Sequence, residues 1–242
     1  MENPKPTNAE EQLIDRLVDY YKSRQDIIGS ALESLHIYIS AASAKMPLLD
    51  LVHSVKRRMK DPDHLKNKLL RKLAECRKEN IEFNYDESNL FSNVTDLAGY
   101  RVLHLHTRQL EQIHAELLKV FDDASWDLHE EPFGHVWDQE TAEFLERIKI
   151  KASFNPRLYS SVHYVLRARA KSLVTCEVQV RTLADEIWGE IDHKINYPEP
   201  HDSLACREQI KALARVASSC SRLVDSIMLT HADFTKATSS NH

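Results

Sequence analysis

Glycine is nearly missing from this chain. Only Gly29, Gly99, Gly134 and Gly189 occur in 242 residues. Glycines so far apart build neither a P-loop nor a dinucleotide-binding turn, which excludes both phosphate-loop architectures. Cysteine is scarce too. Cys76, Cys176, Cys206 and Cys220 form no C-x-x-C pair, which speaks against a zinc site, and no H-E-x-x-H accompanies the 13 histidines. No apolar run approaches the roughly 18 residues that would cross a bilayer. The first residues, Met1 to Thr7, carry no apolar segment of a secretory signal. The expectation is a reduced, cytoplasmic protein with no membrane partner.

What is present suits a globular fold. Apolar residues make up 42% and charged residues 29%, with a net charge of −5. That mild acidity argues against a general nucleic-acid coat. The charge is unevenly spread. Residues 53–78 hold ten Lys or Arg against three acids, and residues 122–146 hold nine acids and no Lys or Arg. The acidic stretch reads as a solvated surface. In the basic stretch Lys56, Arg57, Arg58 and Lys60 lie just before a helix start, and Lys68 and Lys72 share a face of that helix at i, i+4. Converging cations of this kind suit a polyphosphate.

The periodicity gives helices, then a mixed core, then helices. Residues 1–8 read as disordered. Helical spacing marks two helices over 9–45 and a third over 64–79, with Asp63 as its N-cap. Alternation over Tyr100–His106, Ser161–Arg167 and Leu173–Arg181 marks strands, the last two an antiparallel hairpin across Ala170-Lys171-Ser172. Helices follow over 108–121, 183–195 and about 203–230, and the tail from Thr235 reads as loose. The fold class expected is α/β (α+β). Its domains are N-terminal helices over 9–48, a catalytic core over 50–198 and a C-terminal helix over 203–230, within one unit of 9–232, followed by a loose tail at 233–242.

The strand ending at Arg181 carries the chemistry. Val174, Cys176, Val178 and Val180 take one face, and Thr175, Glu177, Gln179 and Arg181 the other. The polar row is either a wetted face or the floor of a cleft, where a carboxylate would hold a metal or take a proton from a hydroxyl. Asp96, before Leu97-Ala-Gly-Tyr-Arg101, is a turn residue or a second carboxylate at the same cleft. Tyr159 is a packing residue or a stacking platform for a purine.

These segments resemble the RelA/SpoT synthetase domain of alarmone synthetases. D-[IL]-x-G-x-R is similar to Asp96-Leu-Ala-Gly-Tyr-Arg101, and Y-x-S-x-H to Tyr159-Ser-Ser-Val-His163. E-x-Q-x-R-T matches Glu177-Val-Gln-Val-Arg-Thr182, and W-x-x-x-[ED]-H-x-x-x-Y resembles Trp188 to Tyr197. R-x-K with a following Lys resembles Arg58-Met-Lys60 and Lys68. The matches keep the family's order over about residues 50–230. The resemblance implies a mixed β-sheet flanked by helices, similar to nucleotidyltransferases. It implies transfer of the β,γ-pyrophosphate of ATP to the 3′-hydroxyl of GDP or GTP, giving the stringent-response alarmones ppGpp or pppGpp. Asp96 and Glu177 would bind Mg²⁺, with Glu177 also the candidate base. Arg58, Lys60 and Lys68 would hold the ATP phosphates. Tyr159, His163, Gln179 and Arg157 would form the acceptor side.

The acceptor loop departs from the family's P-K-x-N-G-Y. Arg157 takes the Lys position, the Asn-Gly pair is missing, and Leu158 precedes Tyr159. His64 stands where the family has Ser. The alternatives therefore stay open: a toxin-like relative acting on tRNA 3′ ends or adenine nucleotides, with an antitoxin partner, or an inactive nucleotide-binding module. The only His-Asp dipeptide, His201-Asp202, lacks hydrolase spacing, so a short, single-domain synthetase is expected. Terminal helices suit a homo-oligomer. Leu204, Ile210, Leu213, Val216, Leu223, Ile227 and Met228 would line that surface or a plain core face.

Overall fold

The computed structural model describes residues 6–169, 174–197 and 201–239. Two helices open it, α1 (Asn8–Ser23) and α2 (Gln25–Ser43), followed by the short α3 (Leu48–Leu51). Next come β1 (Ser54–Met59), α4 (Pro62–Glu79), the short α5 (Leu90–Asn93), β2 (Ala98–His104) and α6 (Gln109–Asp123). The middle holds β3 (Trp126–Leu128), β4 (Phe133–Val136), α7 (Gln139–Arg147) and β5 (Lys151–Phe154). The chain closes with β6 (Ser161–Ala168), β7 (Thr175–Thr182), α8 (Leu183–Asn196) and α9 (Leu204–Ser239).

The N-terminal helix starts on a capping box. Thr7 Oγ1 accepts from the Glu10 N–H, and the Glu10 carboxylate accepts from the Thr7 N–H. Ordered chain thus reaches into the segment 1–8 expected to be disordered; residues 1–5 lie outside the described residues. The cap of α4 is Asp61, not Asp63. Asp61 Oδ1 accepts from the N–H groups of Asp63 and His64, and Pro62 takes the first helical position, where its missing N–H costs nothing. Leu65, Leu69 and Leu73 of α4 are buried as the spacing predicts, each worth roughly 1.5–3 kcal/mol.

The sheet is mixed and seven-stranded, ordered β1-β2-β7-β6-β4-β5, with β3 on β6. The central pair β2 and β7 is parallel, in register Gly99↔Glu177 and Arg101↔Gln179. The β6–β7 pair is antiparallel, as expected, with His163 opposite Gln179. The connecting turn 170–172 lies outside the described residues.

One face of the sheet is the core. Cys176, Val178 and Val180 are buried there beneath α2 and α6. Two tyrosines bind this layer to the helices: Tyr100 to His36 Nδ1 and Tyr164 to His114 Nδ1, both at 2.8 Å. The other face carries the polar row and is partly covered by α8. Trp188 of α8 is buried against Ile210, Ala214 and Ala217 of α9, and its Nε1–H donates to the Ile210 carbonyl at 3.0 Å.

Three features differ from the sequence reading. β1 forms inside the basic stretch, as an edge strand paired antiparallel with β2. The acidic stretch holds β3, β4 and α7. Finally, α9 runs on to Ser239, through the segment from residue 233 expected to be loose. Of its apolar set, Ile210 is buried and Leu213 half-buried, while Leu204, Val216, Leu223, Ile227 and Met228 are exposed. No helix among the described residues is long and apolar enough to cross a membrane.

Candidate active site

Strand alternation sorts the cations of β1. Lys56 and Arg58 fall on the open face of the sheet, opposite Arg101 and Gly99. Arg57 falls on the other face and pairs with Glu33 of α2. A Cβ at Gly99 would lie 3.3 Å from Arg58 Cγ, so glycine leaves that side chain room to lie across the sheet. Just past the strand, Lys60 is fixed by its backbone. Its N–H donates to the Leu97 carbonyl at 2.9 Å, and its carbonyl accepts from Tyr21 at 2.5 Å.

This places Lys60 against Asp96. Lys60 Nζ lies 2.6 Å from Asp96 Oδ2, and Lys68 Nζ, nearly two turns into α4, lies 2.8 Å from Oδ1. Burial alone would raise the Asp96 carboxyl, but the two ammonium groups outweigh it and hold it at about 2. Lys60 is itself lowered, because burial opposes its charge more than Asp96 favours it. Lys72 takes no part and pairs with Glu75 at 2.9 Å.

Glu177 is the second carboxylate. His163 Nδ1 lies 3.0 Å from its Oε1, and Gln179 Nε2 donates to its Oε2 at 2.6 Å. Burial raises the Glu177 carboxyl, yet His163 and Gln179 leave it below its ordinary value, with Asp96 working in the opposite sense. An ionised Glu177 takes the proton on His163 Nδ1 as its donor. The other ring nitrogen, Nε2, is then free to accept from Tyr159, whose hydroxyl lies 3.3 Å away. Tyr159 sits in a ring cluster with His135, His163 and Trp188 at 5.6–6.1 Å, and the Arg181 guanidinium lies 5.9 Å from its ring centre.

The two carboxylates border one cleft of about 320 Å³. Its walls include Arg58, Asp96, Arg101, Glu177, Gln179 and Glu190. Asp96, Glu177, Arg58 and Gln179 line the cleft; Lys60, Lys68 and His163 are bonded to these carboxylates, and Tyr159 follows one step further, through His163. Arg157 is not among them. It lies exposed on the loop, its N–H donating to Asn155 Oδ1 at 2.9 Å. Its neighbour Leu158 adopts φ 62°, a left-handed conformation natural to glycine.

Sequence reasoning missed a buried charge cluster beneath the cleft. Glu186, in the first turn of α8, meets three strands at once. Its carboxylate lies 3.0 Å from Lys56 Nζ, 2.9 Å from Arg101 Nη1 and 2.5 Å from Arg181 Nη2. Arg101 also pairs with the exposed Glu190. The signal was the acidic start of a helix after a strand with inward arginines. A ring group also escaped notice: His64 and His193 both pack on Tyr197, at 4.7 and 4.6 Å. It joins the start of α4 to the end of α8. A second cavity, of about 100 Å³, opens at the far ends of β2 and β7 and is lined by none of the candidate catalytic, donor or acceptor residues.

The donor set admits a hard divalent cation. Asp96 and Glu177 are close enough to oppose each other's charge, and both border the cleft. Among the described residues no third His, Cys, Asp or Glu completes a closed metal cage. Two carboxylates with an open side fit Mg²⁺, which is usually held by one or two carboxylates, phosphates and water.

No curated protein matches the chain significantly. Solved structures do. A GTP pyrophosphokinase family protein from Streptococcus pneumoniae is 18% identical with a TM-score of 0.60, covering 90% of this chain and 95% of that one. The small alarmone synthetase 1 from Bacillus subtilis matches when bound to its product pppGpp, at 19% identity and a TM-score of 0.54. It matches also when bound to AMPCPP, at 17% and 0.56. Each of these two alignments covers 90% of this chain and 97% of the other. At such identities the likeness is one of fold. The model of the region found in RelA / SpoT proteins matches residues 57–202, more than half of the chain. The chain belongs to the RelA/SpoT family.

Proposed function

We propose that this chain is an ATP-dependent pyrophosphokinase that transfers the β,γ-pyrophosphate of ATP to the ribose 3′-hydroxyl of GDP or GTP. One observation carries the reading. Two carboxylates, Asp96 and Glu177, border a single cleft with Arg58, and Lys60 and Lys68 are bonded to Asp96 at its edge. Pyrophosphate transfer asks the protein for positioning and charge rather than covalent chemistry. The relative bound to pppGpp and AMPCPP supports nucleotides of these two kinds as ligands.

The division of labour follows from position. Arg58, Lys60 and Lys68 draw the triphosphate toward Asp96. Tyr159 offers its ring to the acceptor base. Glu177 keeps a lone pair on each oxygen beyond its bonds to His163 and Gln179, and with it accepts the 3′-hydroxyl proton. The O3′–Pβ bond forms as the bond from Pβ to the α-phosphate oxygen breaks, and AMP leaves. Asp96 and Glu177 would hold Mg²⁺, which supplies neutralisation of phosphate charge and a more acidic acceptor hydroxyl.

A second acceptor class is favoured by the loop. Arg157 is exposed and does not line the cleft, and Leu158 holds a glycine conformation without being glycine. That loop suits an acceptor other than guanine, an adenine nucleotide or a tRNA 3′ end. An acceptor panel separates the readings. GDP, GTP, ADP, ATP and deacylated tRNA are offered in turn with γ-labelled ATP and Mg²⁺. Label in GDP or GTP supports the first reading. Label only in adenine nucleotides or tRNA supports the second, and tRNA transfer should then fall steeply with salt. No transfer to any acceptor contradicts both and leaves a nucleotide-binding module.

A further inference from the structure

Arg101 is the cleft cation shared by two carboxylates of unlike character. Both lie on α8, one turn apart. Glu186 is buried, with a side chain 7% exposed, and also holds Arg181 and Lys56. Glu190 is 54% exposed, and Arg101 is its only ion-pair contact among the described residues, with Lys56 and Arg181 acting on it from further away. The same Arg101 nitrogen, Nη1, meets both. Lys56, Arg58 and Arg101 line the cleft wall, and Glu190 stands among them as a wall residue.

The two ion pairs have different energetics. A buried carboxylate with three cations cannot leave without stranding charge, at a cost of roughly 3–5 kcal/mol. An exposed pair is worth at most about 1 kcal/mol and exchanges readily with water. An incoming triphosphate brings several negative charges toward the same guanidinium. Glu186 therefore keeps Arg101 in place. Glu190 competes with an incoming phosphate for the same guanidinium.

We infer that Glu190 is a positioning residue for the donor nucleotide: it parks the Arg101 guanidinium at the cleft wall and is displaced when a polyphosphate binds. Its carboxylate sets the donor affinity downward, and Glu186 provides the fixed anchor that makes the exchange possible. The inference rests on the cleft being the donor site, as proposed above.

The test is a double-mutant cycle read by calorimetry with AMPCPP on the full chain. Glu190 is exposed, so Glu190→Gln should fold as the unmodified protein does. Glu190→Gln should bind AMPCPP roughly two- to fivefold more tightly, the span that an exposed ion pair allows. In turnover the gain should appear in KM for ATP, with kcat changed less than twofold. In an Arg101→Met background the same substitution should give no gain. Equal affinity of Glu190→Gln and the unmodified chain overturns the inference. A gain that persists without Arg101 also overturns it, because it would come from net charge alone. Absence of AMPCPP binding in every variant overturns the donor site itself, and with it this role for Glu190. Tight binding without any tightening by Glu190→Gln leaves the donor site standing and removes only the role of Glu190.

Discussion

His163 Nδ1 lies 3.0 Å from Glu177 Oε1, on neighbouring antiparallel strands. The bond joins the acceptor side of the cleft to its carboxylate. On the far side of the imidazole, Nε2 lies 3.3 Å from the Tyr159 hydroxyl. A single histidine thus orients both the proposed base and the proposed stacking ring.

This arrangement sets the response to mutation. Glu177→Gln keeps the shape but removes the charge and puts an amide donor in place of one of the two acceptor oxygens, so turnover should fall by about a thousandfold with the fold retained. His163→Ala should lower turnover by roughly ten- to a hundredfold, since Glu177 and Tyr159 lose their orientation but not their chemistry. Steady-state rates, with circular dichroism on each variant, check both. Near-normal turnover of Glu177→Gln would remove it from the mechanism.

Asp96 gives a pH prediction with a definite sign. Its folded value of about 2 lies below its ordinary value of 3.8, because Lys60 and Lys68 outweigh burial. A carboxyl depressed by folding contributes stability above its unfolded value and loses that contribution as pH falls toward the folded value. The window is therefore pH 4 down to 2, and the loss should be about 2 kcal/mol. Urea midpoints across that window should fall more steeply for the unmodified chain than for Asp96→Asn. Parallel slopes would mean the lysines do not hold this carboxylate in solution.

Leu158 predicts an inversion of the usual order. At an ordinary position Ala is more stable than Gly by roughly 0.5–1 kcal/mol. Leu158 sits at φ 62°, where a side chain costs roughly 1–2 kcal/mol. Leu158→Gly should therefore be more stable than Leu158→Ala, by about 1 kcal/mol. Chemical denaturation of the two variants decides it, and the ordinary order would mean that the loop relaxes out of this conformation.

Glu186 should be the costliest of these positions for stability. Glu186→Gln leaves Arg181, only 4% exposed, without its carboxylate. The loss should be roughly 3–5 kcal/mol in urea unfolding, as for other buried pairs broken on one side. A cost below about 1 kcal/mol would indicate that water reaches the cluster.

The sequence made much of the scaffold legible, and the reasons are physical. Leu65, Leu69 and Leu73 recur at helical spacing because α4 buries one stripe. Cys176, Val178 and Val180 alternate with Glu177, Gln179 and Arg181 because β7 has one dry face and one that carries the site. The residues gathered at the cleft were named from their pattern and the family resemblance together. β1 was not, since four of its six residues are exposed and three are cationic, the composition of a solvated run rather than of a strand. An edge strand needs only one partner, and charge on it discourages further pairing. The strands inside the acidic stretch were hidden likewise. Its charges are partly neutralised from afar, Asp122 and Asp127 by Arg169, and Asp138 and Glu140 by Arg222. Glu186 escaped because its three partners lie 130, 85 and 5 residues away, and only the sheet brings them together.

The fate of the leaving nucleotide identifies which bond of ATP is broken. The chain is incubated with γ-labelled ATP, Mg²⁺ and the acceptor that responds in the panel, and the adenine products are separated. The account predicts AMP, released in equal amount with a labelled acceptor that has gained two phosphates. ADP with a singly phosphorylated acceptor, or AMP released while the label appears as free pyrophosphate, would contradict it.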